Sequence, residues 1–341
     1  MNPASVPDFD DLPRVEGMPQ GCVWGLFDRD GKPDVHGTLN FLTPETVKAA
    51  AAEVKEGISI SLNWPLNAMA KVNIPGRKAP EHNVLHLPET MGASVGSAWD
   101  DELSINTQSS SQWDSLCHFQ HQKSRLAYNG AKPAKVFFRA ASTAANRMPT
   151  LDHWHERGGM VARGVLVDYK TYAEERGISF GPFDGTRITV ADIEACAAHQ
   201  GVEFRPGDVL VVRTGATLHV DSNTAEDVAE AMAGMKISGV HGCEETARWL
   251  WNKRFAAVTG DSNSFEAFPP LKPDGSEGGM SDLVLHSYLL SLFGMPIGEI
   301  WDLQRLSEHC KKMKRYSFML TSIPLNHPCL IASPPNAIAI F

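Results

Sequence analysis

The sequence predicts an α/β protein organised as one compact domain with an irregular N-terminal arm. Three observations carry that expectation: short β-branched runs bounded by glycine, helical spacing between those runs, and a length of 341 residues that α/β architectures often give to one domain. The runs are "RGVLVDY" (163–169), "GDVLVVRTG" (207–215) and "FAAVTGD" (255–261), each read as a buried strand. Between them, "TVADIEACAAHQG" (189–201) and "CEETARWLWNKR" (243–254) have the spacing of helices.

From the N-terminus, "MNPASVPDFDDLPRVEG" is acidic and broken by proline, without the basic start or apolar stretch of a secretory signal. A cytoplasmic protein is expected. "PETVKAAAAEVKEG" (44–57) opens on Pro and Glu and closes on Gly, the start and stop signals of a helix. Residues 1–54 therefore read as arm and helix ahead of a body spanning 55–341. "ISISLNWPL" reads as a strand, and residues 67–104 as irregular, because Pro75, Pro80 and Pro88 interrupt any long element.

"NTQSSSQWDSLCHF" (106–119) is next, a polar strand that puts Gln108, Ser110, Gln112 and Asp114 on one face. Such a row could be a solvated edge, a hydrogen-bonded seam, or one wall of a site for a cation or substrate. "SDLVLHSYLLSLFGMPIGEIW" carries His286 and Glu299 and breaks at Gly294 and Pro296, so it reads as a buried helix and turn and not as a membrane span. "RYSFMLTSIPL" (315–325) returns to strand, and "SPPNAIAIF" closes the chain as a Pro-rich segment.

Composition narrows the partners. The hydrophobic fraction is 43% and the charged fraction 21%, ordinary for a folded protein, and the net charge of −9 argues against nucleic acid or an anionic membrane as partner. A small-molecule substrate is the expected partner. The six cysteines are scattered without a CxxC pair, which predicts free thiols and no structural zinc knot.

Candidate chemistry is a matter of elimination and convergence. GxGxxG and GxxxxGK[ST] are missing, and no strand-to-helix nucleophile elbow of the GxSxG type is expected. Cys117 and His118 are consecutive, so on a strand they face opposite sides and form no dyad. His82 and His86 are bracketed by Pro80 and Pro88, and His153 and His155 close a short helix, so structural roles are expected for all four. What remains is discontinuous: Gln108, Gln112, Asp114 and His118 in one segment, Glu266 after "GDSNSF", and His286 with Glu299 thirteen residues on. A strand carboxylate plus a His and a Glu from a later helix and turn can make a three-ligand site with an open position. Buried carboxylates also serve as caps and ion-pair partners.

These residues resemble the cyclase family, the superfamily of metal-dependent kynurenine formamidases and isatin hydrolases. The family's hallmark HxGTHxDxPxHF is similar to "QSSSQWDSLCHF" (108–119) in length and in Asp114, His118 and Phe119. His286, "SYLLSLFGMPIG", Glu299 and "IWDL" resemble a second family segment, "GDSNSFE" is similar to a third, and the likeness covers roughly residues 55–340. The pattern is shared with larger members that carry "NTQSSSQWD" themselves. This chain departs from the family at Gln108 and Gln112, where the motif has histidines, and at Leu116, where it has proline.

The resemblance implies a cyclase-like domain over 55–341, with a mixed-sheet, barrel-like core of the swivelling β/β/α kind flanked by helices. It implies a hydrolase acting on non-peptide C–N bonds or cyclic esters, opening a cyclic or aryl amide, lactam or lactone with a water activated by one divalent ion, manganese or zinc. Asp114, His286 and Glu299 are then the core ligands, with Gln108 or Gln112 as an oxygen ligand or a supporting donor. His118 is the catalytic acid–base, Gln112 orients the substrate carbonyl, and Glu266 is a further catalytic candidate. Trp113, Trp64 and Phe265 are candidates to line an apolar pocket. The family's habit of forming dimers or tetramers implies a homo-oligomer, with the segment after "NWP" lying over its own or a neighbour's site. The alternatives are a metal-independent lyase, dehydratase or cyclase using His118, with Asp114 or Glu266, and a ligand-binding relative without turnover.

Overall fold

The computed structural model describes residues 3–72 and 76–341, so Pro75, one of the expected element breakers, lies outside the described residues. The architecture is the α/β one expected: a curled, mixed nine-stranded sheet flanked by helices. Its centre is parallel, running Met160–Asp168, Val209–Arg213, Ala257–Gly260 and Ile297–Glu299. Antiparallel strands extend it, with Ser317–Ser322, Ala337–Ile340 and Ser59–Ser61 on one side and Gln112–Asp114 and Ala332–Ser333 on the other. The closing segment, expected only as Pro-rich, thus contributes a strand.

The central runs are continuously apolar because both faces of the sheet are covered. Alternation then sorts them: Val209 and Val211 pack with Trp113, Trp301 and Phe318, while Leu210 and Val212 pack with Phe41, Trp251 and Phe293. The N-terminal arm supplies much of that second layer. Phe9, Phe27 and Phe41 are buried there. Gly37 passes so close to Gly294 that a Cβ would overlap its carbonyl, and Thr38 N donates to that oxygen at 2.9 Å.

Helices fall at Pro44–Ala51, Val190–Gln200 and Glu244–Asn252, among others. The first opens on a Thr43 capping box but stops at Ala51, short of the expected 57. The chain turns back there because the N–H groups of Glu56, Gly57 and Ile58 all donate to the Phe341 carbonyl. Residues 67–104, expected to be irregular, contain a hairpin of Glu81–His86 with Trp99–Ser104, joined through the short helix Leu87–Met91. Pro80 precedes its first strand and Pro88 opens the helix, positions where a missing N–H costs nothing. The hairpin stands in solvent with Val84, Trp99 and Leu103 exposed on one face. "GASVG" (92–96), a GxSxG pattern, falls in its exposed turn and not between a sheet strand and a helix. All six cysteines are free, and among the described residues no helix is long and apolar enough to cross a membrane.

Two expectations follow. Trp113 is fully buried between Trp154 and Trp301, with ring centroids 5.5 and 5.0 Å away, so Trp113→Ala should lower unfolding free energy by about 3–5 kcal/mol in urea titrations. His36 lies in the arm, where burial first, then the charges of Arg157 and His153, hold its pKa down at about 4 against the ordinary 6.5. The folded chain keeps this ring neutral while the unfolded chain protonates it near the ordinary value, so its contribution to stability is intact at neutral pH and falls away as pH drops from 6.5 towards 4. His36→Gln should flatten that part of the stability–pH curve, measured by thermal unfolding.

Candidate functional site

The Ile297–Glu299 and Gln112–Asp114 strands pair antiparallel, with Glu299 opposite Gln112 and Ile297 opposite Asp114. Opposed residues share a face, so Gln112, Asp114 and Glu299 converge on one side while Trp113 points to the other. The expected polar row is shorter than the sequence suggested. Asn106–Ser111 is a turn, with Ser109 N donating to Asn106 O and Gln108 N to Asn106 Oδ1, and Ser110 leaves the row to donate to Pro65 O at 2.9 Å. Gln108 nonetheless returns through that turn. Its Nε2 donates to Asp114 Oδ1 and its Oε1 accepts from Gln112 Nε2 at 2.9 Å. Gln112 Nε2 also donates to Glu299 Oε2 at 2.9 Å.

His286 comes from the opposite direction, at the point where the turn Val284–His286 widens into a π-helix over Ser287–Phe293. Short π-helical stretches recur at functional sites because they re-aim side chains. Glu266 fixes the ring. Its carboxylate, fully buried, accepts the N–H groups of Val284, Leu285 and His286 and the His286 Nδ1–H at 2.8 Å. Gly242 leaves room for that carboxylate, since a Cβ there would overlap Glu266 Oε2. His286 Nε2 is then 3.2 Å from Glu299 Oε1. Glu266, expected to work on substrate, is walled off behind His286 and acts as its orienting partner.

The donor atoms of Asp114, His286 and Glu299 all lie within 4.8 Å of one another. Two buried oxygens beside them, Asp114 Oδ2 and Gln112 Oε1, have no hydrogen-bond partner among the described residues. Leaving buried acceptors without donors is costly, and a cation would satisfy both. The donor set therefore fits a divalent ion. Gln108, expected as an oxygen ligand or a supporting donor, has both ends of its amide engaged, donating to Asp114 and accepting from Gln112.

Burial and the Asp114 charge push the Glu299 carboxyl up, against the pull of His286. Burial alone would lower His286, but the hydrogen bonds and charges of Glu266 and Glu299 outweigh it and raise its pKa to about 10. For His118 burial wins: despite Asp114, its pKa is lowered, helped by His286 and Arg77. His118 Nε2 is 3.9 Å from Asp114 Oδ1, and its Nδ1 is 3.4 Å from Gln108 Nε2. It follows a turn, not a strand as expected, and Cys117 beside it is buried with burial driving its thiol pKa far up.

His118, His286 and Glu299 open onto a cavity of about 480 Å³. The aromatics expected on its wall are elsewhere. Trp113 is in the core, Trp64 lines a smaller neighbouring cavity with its Nε1 donating to Asp221, and Phe265 is buried in the core at φ +53. Phe119, Phe183 and Phe268 line the cavity instead. Of these only Phe119 carried a sequence signal, as the last residue of the motif. Arg77 and Asn263 also line it; Asn263 sits in the "GDSNSFE" segment, whereas nothing local marks Arg77.

An α/β sheet with a buried Asp–His–Glu cluster beside a cavity has the makings of a small-molecule site. Residues 35–267 match the family described as "Putative cyclase", and the chain belongs to that family. A crystal structure of a novel cyclase is similar over 94% of this chain and 99% of its own, with 29% identity and a TM-score of 0.76. Two isatin hydrolases share the fold. One, bound to the product analogue thioisatinate, matches 87% of this chain and 98% of its own at 14% identity and a TM-score of 0.54. Isatin hydrolase A from Labrenzia aggregata, bound to benzyl benzoate, matches 85% and 94% at 13% identity and a TM-score of 0.56. No curated protein matches the sequence.

Removing the Glu266 carboxylate strands three backbone donors and the His286 Nδ1–H in a dry environment. Glu266→Ala should cost about 3–5 kcal/mol of stability by urea unfolding. Glu266→Gln, which keeps shape and an acceptor, should cost less.

Proposed function

We propose that the protein is a metal-dependent hydrolase that opens a cyclic or aryl amide, lactam or lactone with an activated water. The observation that carries this reading is the Asp114–His286–Glu299 cluster with the unpartnered Asp114 Oδ2 and Gln112 Oε1 beside it. Its mixed carboxylate, imidazole and amide donors suit manganese or zinc, and such an ion, when bound, polarises a carbonyl and makes water a usable nucleophile near neutral pH. His118, kept neutral by burial and facing the cavity, takes the proton from the water and returns it to the leaving nitrogen or oxygen. Gln112 is less suited to orienting the substrate carbonyl, because its N–H groups already serve Gln108 and Glu299. Gln108 steadies Asp114 and Gln112. Phe119, Phe183 and Phe268 exclude water from an apolar substrate body. The isatin hydrolase neighbours make isatin a sensible first lactam to assay. A cytoplasmic setting, supported by the free thiols, and a dimer or tetramer complete the reading.

One observation favours a second reading. Glu266, His286, Glu299, Gln112, Gln108 and Asp114 form a continuous hydrogen-bonded and ion-paired chain, which suits metal-free acid–base chemistry at His118 in a lyase, dehydratase or cyclase. Elemental analysis of protein purified without chelators separates the two. About one equivalent of manganese or zinc is expected, lost in Asp114→Ala and kept in His118→Ala, whose kcat should fall about 10²–10⁴-fold. No metal after reconstitution, with turnover surviving chelation, would hand the site to the metal-free reading.

A further inference from the structure

The buried arginines of this chain are matched with carboxylates. Arg163 meets Glu53 and Asp208, Arg213 meets Asp168, and Arg254 meets Asp8. This is what the cost of burying a cation demands. The half-buried Arg77, Arg157 and Arg187 donate to backbone carbonyls and lack a carboxylate partner among the described residues, and of these three only Arg77 lines the cavity. One of its amines donates to the Gln108 carbonyl at 2.8 Å, and among the described residues no carboxylate lies in ion-pair range of it. Its charge is nonetheless felt inside the site, where it depresses both His118 and Glu299. A second cation, Lys236, lines the same cavity without an ion pair among the described residues.

The same cavity carries the apolar side chains of Phe119, Phe183, Phe268, Met232 and Leu283. A guanidinium offers a planar fork of five N–H donors that matches a carboxylate in two-point fashion. In Arg77 the carbonyl of Gln108 takes one donor and fixes the plane. The other donors are left for a ligand in the cavity that Arg77 lines, where partial burial strengthens a charge-assisted pair.

We propose that Arg77 anchors an anionic group of the substrate, so that the chain acts on amides or cyclic esters whose apolar body carries a carboxylate separate from the bond that is broken. This rests on the hydrolase reading for the reaction, but the anchor is a binding property that exists without turnover. It also gives the backbone contact to Gln108 a purpose: the residue that holds Asp114 on one side positions the anchor on the other.

The test uses a matched pair, 4-phenylbutyrate and the isosteric 4-phenylbutyramide, titrated calorimetrically into chelator-treated full-length protein so that no metal can take the carboxylate. The wild type should bind the acid at least about tenfold more tightly than the amide, about 1.4 kcal/mol. Arg77→Met should bring the ratio close to one, and Arg77→Lys should keep part of it. Thermal unfolding of each variant checks that the fold is kept. Equal binding of acid and amide by wild type overturns the proposal, as does an acid preference that persists in Arg77→Met. Because neither readout needs catalysis, the hydrolase reading can fail while the anchor stands, and the reverse.

Discussion

A single buried carboxylate, Glu266, sets the geometry on which the rest of the site depends. Four N–H donors from the Val284–His286 turn end on its two oxygens, in a pocket that Gly242 keeps open. The interaction does two jobs that the fold would otherwise leave undone. It satisfies the first N–H groups of a helix that begins in the interior, where water cannot reach them. It also fixes the plane of His286, so that Nε2 points at Glu299. Without it, the π-helical stretch that follows would have no fixed starting direction.

The sheet supplies the opposing half. Pairing of Gln112–Asp114 with Ile297–Glu299 places three polar side chains on one face by register alone, while Trp113 on the other face locks that register into the core. A slip of one residue would exchange the two faces, burying Gln112 and Asp114 among tryptophans. The hydrophobic layer beneath the site is thus what specifies the polar layer above it. The N-terminal arm contributes at a distance, because the contact of Gly37 and Thr38 with Gly294 closes the far end of the helix that carries His286.

How much of this the sequence disclosed follows from the range of the forces involved. The central strands and the helices between them were legible, since period and punctuation are local. Asp114, His286 and Glu299 were legible as a set because each lies in a segment resembling a family motif. Gln108 was found for a wrong reason. It was expected as a strand neighbour of Gln112, and it arrives through an Asn106-centred turn. Glu266 stands out in its motif, but only the fold shows that its carboxylate is spent on His286 and the N–H groups before it. Trp113, Trp64 and Phe265 were named for their closeness to motifs, yet closeness in sequence says nothing about which side of a sheet a ring takes. The hairpin of 81–104 was hidden by its prolines, whose positions at element starts are harmless. Arg77 gave no local signal, since its significance lies in a counter-charge that is not nearby.

The two glutamines have a consequence for how the site responds to its surroundings. An imidazole changes charge within the physiological range, whereas a primary amide does not. With amides at positions 108 and 112, the wall that braces Asp114 and Glu299 keeps the same donors and acceptors in acid and in alkali. Whatever the site feels of the surrounding acidity then comes through His118, His286 and the Glu299 carboxyl, whose titrations burial and neighbouring charges displace, and not through the amide wall.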